Sequence, residues 1–165
     1  METITAKNKI AAFVDLYDLH TGFFNNVIVG ISDEDAHKRL ETKANHVAWL
    51  TGSLVHQRYE IAKMLGSDIE SPFLELFDHN KGIQDGLKYP SLDEYRRAWE
   101  NISPVLKELM LNVSNEKLDE TFEMMPDMKF SNYEMMSFFI YREANCIGQI
   151  ALWRRLLGYE AMKYM

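Results

Sequence analysis

Cysteine is nearly absent from this chain, which carries Cys146 and no other. A single cysteine cannot form an internal disulfide, and internal disulfides are typical of exported proteins. Long apolar runs are absent as well, since no stretch approaches the roughly 20 residues that span a bilayer. The first residues, METITAKNKI, do not follow the charged-then-apolar pattern of a signal peptide. We therefore expect a soluble, cytoplasmic protein with no membrane partner.

Clusters of basic residues are lacking too. The chain has 18 Lys and Arg residues against 25 Asp and Glu, which gives a formal net charge of -7. Binding to phosphate groups needs a concentrated basic surface. The charge pattern therefore predicts no nucleic-acid partner and argues against anionic membranes.

The alternating pattern of β-strands is also missing, and apolar residues instead recur at intervals of three and four. A length of 165 residues fits a single domain over residues 1–165. Four long predicted helices indicate an all-α fold, an antiparallel four-helix bundle with crossover connections. The long helices are predicted over residues 5–29, 42–65, 91–110 and 131–158, with a short helix over 114–122 and a final helical turn over 159–165.

Local signals mark the ends of these helices and the loop between them. Ser91 with Glu94, and Ser131 with Glu134, are capping boxes that begin two of the long helices. Residues 67–90 lose the helical pattern and carry both Gly and Pro, which predicts a long loop with one short helical piece. Loops of this length in a compact domain often cover a pocket, so we interpret this one as a lid.

The helix over residues 131–158 is the one around which we expect the others to pack. Its two ends are apolar nearly all round, which is typical of a central helix. Between those ends, Arg142, Asn145, Cys146 and Gln149 recur at i, i+3, i+4 and i+7 and share one face. This polar group is where the sequence predicts a functional site.

Two segments resemble the DinB-like (DinB/YfiT) superfamily of four-helix bundles. Residues 45–66, NHVAWLTGSLVHQRYEIAKMLG, are similar to the pattern N-H-x-x-W-x-x-G-H-L-x-x-x-R on that family's second helix. Residues 142–158, REANCIGQIALWRRLLG, are similar to H-E-A-x-H-x-G-Q-I-x-x-x-R-R-x-L-G on its fourth helix. The resemblance implies a single DinB-like domain and the position of its pocket.

The same resemblance implies a metal site, from which this chain departs. Three histidines bind a divalent metal in the family, and Ser53, Arg142 and Cys146 occupy their positions here. A serine hydroxyl is a poor ligand, and a guanidinium has no lone pair to give and repels a cation. His56 with Cys146 would be a weak substitute set. We therefore predict no bound metal and no cofactor.

Our first hypothesis is a metal-free DinB-like protein that binds a small ligand, anionic or carboxylate-bearing, in the bundle pocket. A buried arginine must be paired, and Glu143 points about 100° away from Arg142 around the helix. The partner of Arg142 is then another helix, with Glu60 as one candidate, or the ligand itself. The expected ligand-binding residues are Trp49, Ser53, His56, Arg142, Cys146 and Gln149.

The second hypothesis is an enzyme. Arg142 lies one turn before Cys146, and a nearby cation lowers the pKa of a thiol. A metal-independent enzyme similar to the thiol transferases of this superfamily would then use Cys146 or an external thiol. The opposing interpretation is that Cys146 is an inert core residue. Ser53, His56 and Glu60 lie on one helix without an oxyanion turn, which favours a polar helix face over a catalytic triad.

The third hypothesis is a non-catalytic structural or interaction protein with a vestigial pocket. The resemblance implies a homodimer that forms through bundle faces, and an aromatic content of 12% leaves material for an interface. The residues alone leave all three functions open, and with them the question of whether the protein is an enzyme.

Overall fold

The computed structural model describes residues 6–164. The ends of the predicted domain 1–165 therefore lie outside the described residues, as do residue 5 of the first predicted helix and residue 165 of the final predicted turn. The described chain is mostly helical, and the prediction of an all-α protein is confirmed at that level. The elements are α1 (Ala6–Ile28), α2 (Asp33–Ala36), α3 (Val47–Met64), α4 (Leu74–Phe77), a 3-10 turn (Asp78–Asn80), α5 (Leu92–Asn112), α6 (Asn115–Asp119), β1 (Thr121–Met125), β2 (Met128–Ser131) and α7 (Asn132–Leu156).

Side-chain caps fix where the long helices begin. Both predicted capping boxes are present, with Ser91 and Glu94 at the start of α5 and Ser131 and Glu134 at the start of α7. Helix α3 begins at Val47 rather than near residue 42, because the side chain of His46 caps it by accepting a hydrogen bond from the backbone N–H of Trp49. Helix α5 continues through Pro104 as one helix.

The four long helices of the described chain contact one another in a ring, in the order α1, α7, α3, α5 and back to α1. Helices α3 and α7 run antiparallel, since Asn45 bonds Trp153 at one end and Gln57 bonds the carbonyl of Phe139 toward the other. Helices α1 and α5 are also antiparallel.

The other two neighbouring pairs run parallel, which differs from a uniformly antiparallel arrangement. Early residues of α1 and α7 meet where Phe13 contacts Tyr133, and later residues meet where Arg154 bonds the carbonyl of Val27. Helices α3 and α5 are likewise parallel. The long connection over residues 65–91 allows this, because it returns the chain to the end of the molecule where α3 began.

A small β-hairpin precedes α7 and was not predicted. Strands β1 and β2 pair antiparallel, with Phe122 opposite Phe130. The predicted helix over 114–122 is therefore confined to Asn115–Asp119. Asp127 adopts a left-handed conformation (φ 65°) at the turn that joins the strands. Strands this short are stabilised mainly by pairing with each other, so their own sequences carry little strand signal.

The remaining segments are mostly irregular. The predicted loop over 67–90 holds α4 and the 3-10 turn, where His79 and Asn80 have positive φ angles. The predicted final turn over 159–164 is not helical, although Met162 is buried there. Within residues 6–164, no helix combines the length and the apolar character needed to cross a bilayer.

Candidate functional site

A cavity of about 420 Å³ lies between α3, α7 and the segment that contains α4 and the 3-10 turn. It is the place where four of the predicted site residues meet, namely Trp49, Ser53, His56 and Arg142. Aromatic and methionine side chains supply much of the wall, and neutral polar and charged side chains supply the rest. The other lining residues are Gln57, Glu60, Phe77, Asp78, His79, Asn80, Lys81, Met135, Phe138 and Phe139.

Arg142 reaches from α7 toward α3 and is bonded there by neutral groups. Its Nη2 donates to Ser53 Oγ at 2.6 Å, and its Nη1 donates to the Oε1 of Gln57. Glu60, one candidate partner from the sequence, lines the same cavity but forms no ion pair with Arg142, and neither does any other carboxylate of residues 6–164. The positive charge at this wall is therefore held by two dipoles and not by an opposite charge.

Phe77 reaches the cavity wall because of a glycine in α3. At Gly52 the backbone of α3 comes so close to two rings that an added Cβ would lie 2.4 Å from Tyr95 Cζ and 2.5 Å from Phe77 Cζ. Only a residue without a side chain fits this approach. Gly52 thereby lets Phe77 pack directly on α3 as part of the cavity wall.

Trp49, His56 and Phe77 form an aromatic corner of the cavity. Phe77 lies 6.1 Å from the Trp49 ring and 6.0 Å from the His56 ring, centroid to centroid. Trp49 Nε1 and His56 Nδ1 are buried without a hydrogen-bond partner. Burial lowers the pKa of His56, and the nearby Glu60 only partly opposes this. The His56 ring is therefore neutral near pH 7 and adds no charge to the site.

Polar side chains of the loop segment, including Asp78, His79 and Lys81, also line the cavity. His79 Nε2 lies 3.1 Å from Asp78 Oδ2, and Lys81 Nζ donates to the backbone carbonyl of Glu75 at 2.7 Å. The short helical part of residues 67–90 therefore forms one side of the cavity, and the interpretation of the whole segment as a lid stays a prediction.

Cys146 and Gln149, the other two predicted site residues, do not line this cavity. Cys146 is buried with 5% of its surface exposed, and burial raises the pKa of its thiol while the Arg142 charge partly lowers it. Gln149 is exposed and donates to Asn145 Oδ1 at 2.6 Å. The i, i+3, i+4, i+7 face spans about 100° of the helix, so one of its edges enters the core and the other reaches solvent.

A buried charged cluster at the centre of the four helices was missed by the sequence analysis. Arg58 of α3 donates from Nε to Glu143 Oε1 at 2.6 Å and from Nη2 to Glu143 Oε2 at 3.1 Å. His20 Nδ1 lies 3.2 Å from the same Oε2. The Arg58 guanidinium carbon also lies 3.8 Å from the ring centroid of Tyr17 and 3.4 Å from that of Trp99. Together these residues tie α1, α3, α5 and α7 to one another.

The electrostatics of this cluster favour a charged pair. Burial alone would raise the pKa of Glu143, but the Arg58 charge and the hydrogen bonds from His20 and Arg58 together lower it. One signal for the cluster was available in the sequence. Arg58 lies four residues after Leu54 and three before Ile61, on the helix face that is otherwise apolar. A charge on such a buried face must find a buried partner.

The residues that the resemblance aligns with metal ligands do not fit a metal ion. Ser53 Oγ accepts from Arg142, Arg142 is a cation, and Cys146 is a buried thiol with a raised pKa. Within residues 6–164, no three His, Cys, Asp or Glu side chains are grouped closely enough to hold a metal. The sequence matches no model of a known protein family, and no curated protein is significantly similar to it. The function must therefore be argued from the cavity.

Proposed function

We propose that this protein is a metal-free, DinB-like four-helix bundle that binds a small organic anion in the cavity between α3 and α7. The observation that carries the proposal is the charge of Arg142, which faces the cavity with only the neutral partners Ser53 and Gln57. A guanidinium in a partly desolvated site gains most from a carboxylate, which can accept two parallel hydrogen bonds from it.

Two contacts support the DinB-like part of the proposal. The two segments that carry the resemblance pack against each other, since Trp153 Nε1 donates to the carbonyl of Asn45 at 2.9 Å. Two of the positions that correspond to the family's metal ligands also meet, at the 2.6 Å bond between Arg142 and Ser53. In a DinB-like bundle the guanidinium would then stand where the resembling family holds a cation.

The walls indicate what the rest of the ligand is like. Phe77, Met135, Phe138 and Phe139 give the cavity a large apolar lining. A volume of about 420 Å³ lies within the range of small-molecule sites. An aromatic or short aliphatic carboxylate would place its charge at Arg142 and its apolar part against these rings.

The experiment is calorimetric titration of the protein with benzoate, phenylacetate and octanoate, each compared with the primary amide of the same skeleton. We expect binding of at least one carboxylate, and binding of its amide weaker by about tenfold or more, because the amide lacks the charge that Arg142 pairs with. Absence of binding by every carboxylate at millimolar concentration would contradict the proposal.

Variants assign the binding to the cavity. Arg142→Gln should abolish carboxylate binding, whereas the matched change Arg155→Gln, at an exposed arginine of the same helix, should leave it unchanged. Equal loss in both variants would mean that general charge and not the cavity attracts the anion, which also counts against the proposal.

A further inference from the structure

Two half-buried side chains of opposite charge line the cavity without pairing with each other. They are Arg142 of α7 and Glu60 of α3. Arg142 has only the neutral partners Ser53 and Gln57. Among the side chains that the structure describes, Glu60 has neither an ion-pair partner nor a hydrogen-bond partner. A ligand in this cavity therefore meets a positive and a negative charge, and each can accept a partner.

The other charged groups of the cavity wall are engaged elsewhere. Asp78 is bonded by His79, whose backbone N–H donates to Oδ1 at 2.7 Å and whose Nε2 lies 3.1 Å from Oδ2. Lys81 is exposed, and its Nζ donates to a backbone carbonyl. Burial lowers the pKa of His56, so this ring, about one turn before Glu60, brings no positive charge that would neutralise the carboxylate.

The spacing along α3 sets how far apart the two free charges lie. Arg142 bonds both Ser53 and Gln57, so its guanidinium lies between these two levels of the helix. Glu60 follows them by about 10 Å and about 5 Å along the helix axis, at 1.5 Å per residue. Side chains lean toward the N-terminus of their helix, which shortens this gap. A hydrogen bond of about 3 Å at each end then leaves room for a ligand whose two charges are a few ångströms apart.

An α-amino acid carries a carboxylate and an ammonium group at this separation. Its carboxylate can accept two parallel hydrogen bonds from a guanidinium. Arg142 has N–H groups left for this, since only two of the five donors of a guanidinium are needed for Ser53 and Gln57. A carboxylate without an amino group would instead bring a second negative charge toward Glu60, and like charges repel. The cavity therefore suits a zwitterionic carboxylate better than a simple one.

The apolar part of the wall indicates the kind of side chain that the amino acid would have. One thioether and three phenyl rings line the cavity, from Phe77, Met135, Phe138 and Phe139. Burial of an aromatic or branched aliphatic side chain against these groups is favourable. A charged side chain would lose its hydration there without gaining an opposite charge.

We propose that the ligand of this cavity is an α-amino acid with an apolar side chain, whose carboxylate binds Arg142 and whose ammonium group binds Glu60. This inference rests on the proposed function, to which it adds the second charge of the ligand. Glu60 is then the residue that distinguishes an amino acid from the carboxylic acid of the same skeleton.

The first test is calorimetric titration with two matched pairs, L-phenylalanine with 3-phenylpropanoate and L-leucine with 4-methylpentanoate. Within each pair the two compounds differ only in the amino group. We expect the amino acid of at least one pair to bind about tenfold or more tightly than its partner, because it alone can pair with Glu60. If the simple acids bind as tightly as the amino acids or more tightly, this inference is overturned while the proposed function stands. If no amino acid and no simple acid binds, both fail together.

The second test assigns the preference to Glu60. Glu60→Gln removes the charge with little change of shape and should abolish the preference for the amino acid, while binding of the simple acid stays equal or improves. Glu100→Gln, at an exposed glutamate of α5 outside the cavity, is the matched control and should keep the full preference. A preference that persists in Glu60→Gln, or that is lost equally in both variants, would overturn the assignment of the ammonium group to Glu60.

Discussion

Arg58 and Glu143 form an ion pair with 0% and 1% of their side chains exposed, at the point where all four long helices meet. Such a pair is costly to desolvate. Removing only one of its two charges costs even more, because the other charge then stays buried without a partner. The pair is therefore a point of vulnerability for the whole fold, and it leads to the first prediction.

Glu143→Gln should lower the free energy of unfolding by about 3 kcal/mol, because it leaves the Arg58 guanidinium without a countercharge. Urea denaturation measures the effect. The double variant Arg58→Met, Glu143→Gln should recover part of the loss, since no buried charge remains. Asp18→Asn removes one partner of the exposed ion pair with Lys107, whose side chains are 47% and 42% exposed, and should cost less than about 1 kcal/mol. Equal losses for Glu143→Gln and Asp18→Asn would contradict the role of the pair.

The cap of α3 should make stability depend on pH. Burial and the neighbouring His37 lower the pKa of His46 from 6.5 to about 4, and His46 Nδ1 must be unprotonated to accept from the Trp49 N–H. As pH falls, His46 therefore becomes protonated at a higher pH in the unfolded chain than in the folded chain. The contribution is fully present above pH 6.5 and should be lost progressively toward pH 4, by roughly 2 kcal/mol in all.

His46→Asn is the matched variant for this prediction, because asparagine caps helices well but does not titrate in this range. Its free energy of unfolding should change less between pH 7 and pH 4 than that of the parent chain, as followed by urea denaturation at several pH values. Parallel pH profiles for the two proteins would assign the pH dependence to other groups.

Cys146 should react slowly with thiol reagents. Burial raises the pKa of the thiol and limits access, so alkylation by iodoacetamide at pH 7.5 should be about a hundredfold or more slower than in urea. Arg142→Gln should slow it further, because it removes the cation that partly lowers the pKa. Rapid alkylation with an ordinary or lowered thiol pKa would revive the hypothesis of an enzyme that uses Cys146.

The three metal-binding histidines of the family that this chain resembles should be restorable by substitution. The triple variant Ser53→His, Arg142→His, Cys146→His removes the guanidinium and supplies three imidazoles, so it should bind about one Zn²⁺ per chain. The double variant Ser53→His, Cys146→His keeps Arg142 and is the control, and it should bind no metal. Elemental analysis after dialysis distinguishes the two. Failure of the folded triple variant to bind any metal would count against the DinB-like geometry of α3 and α7.

Local signals were the ones that sequence reasoning could use. The caps at Ser91 and Ser131 depend on residues three positions away, so both were predicted correctly. The hairpin was not predicted, since its strands depend on pairing with each other and on the left-handed turn at Asp127. The cap by His46 was missed because histidine is an uncommon acceptor at that position.

The candidate site could be predicted only in part, because much of it depends on contacts between distant segments and not on local signals. Trp49, Ser53, His56 and Arg142 were placed together through the resemblance and do line one cavity, although their role in binding stays a prediction. Cys146 and Gln149 share a helix face with Arg142, but Cys146 is buried and Gln149 is exposed. This difference depends on how α7 packs against its neighbours. The pairing of Arg58 with Glu143 joins two distant segments, and periodicity within one helix does not reveal it.

The close approach at Gly52 also bears on the shape of the cavity. Because the rings of Phe77 and Tyr95 occupy the space that a methyl group at position 52 would need, the position of the Phe77 wall depends on the absence of a single carbon atom. Alanine at this point would act as a wedge, pushing Phe77 or Tyr95 outward. A substitution at this one position would therefore shift the Phe77 side of the cavity while leaving the Arg142 side chain unchanged.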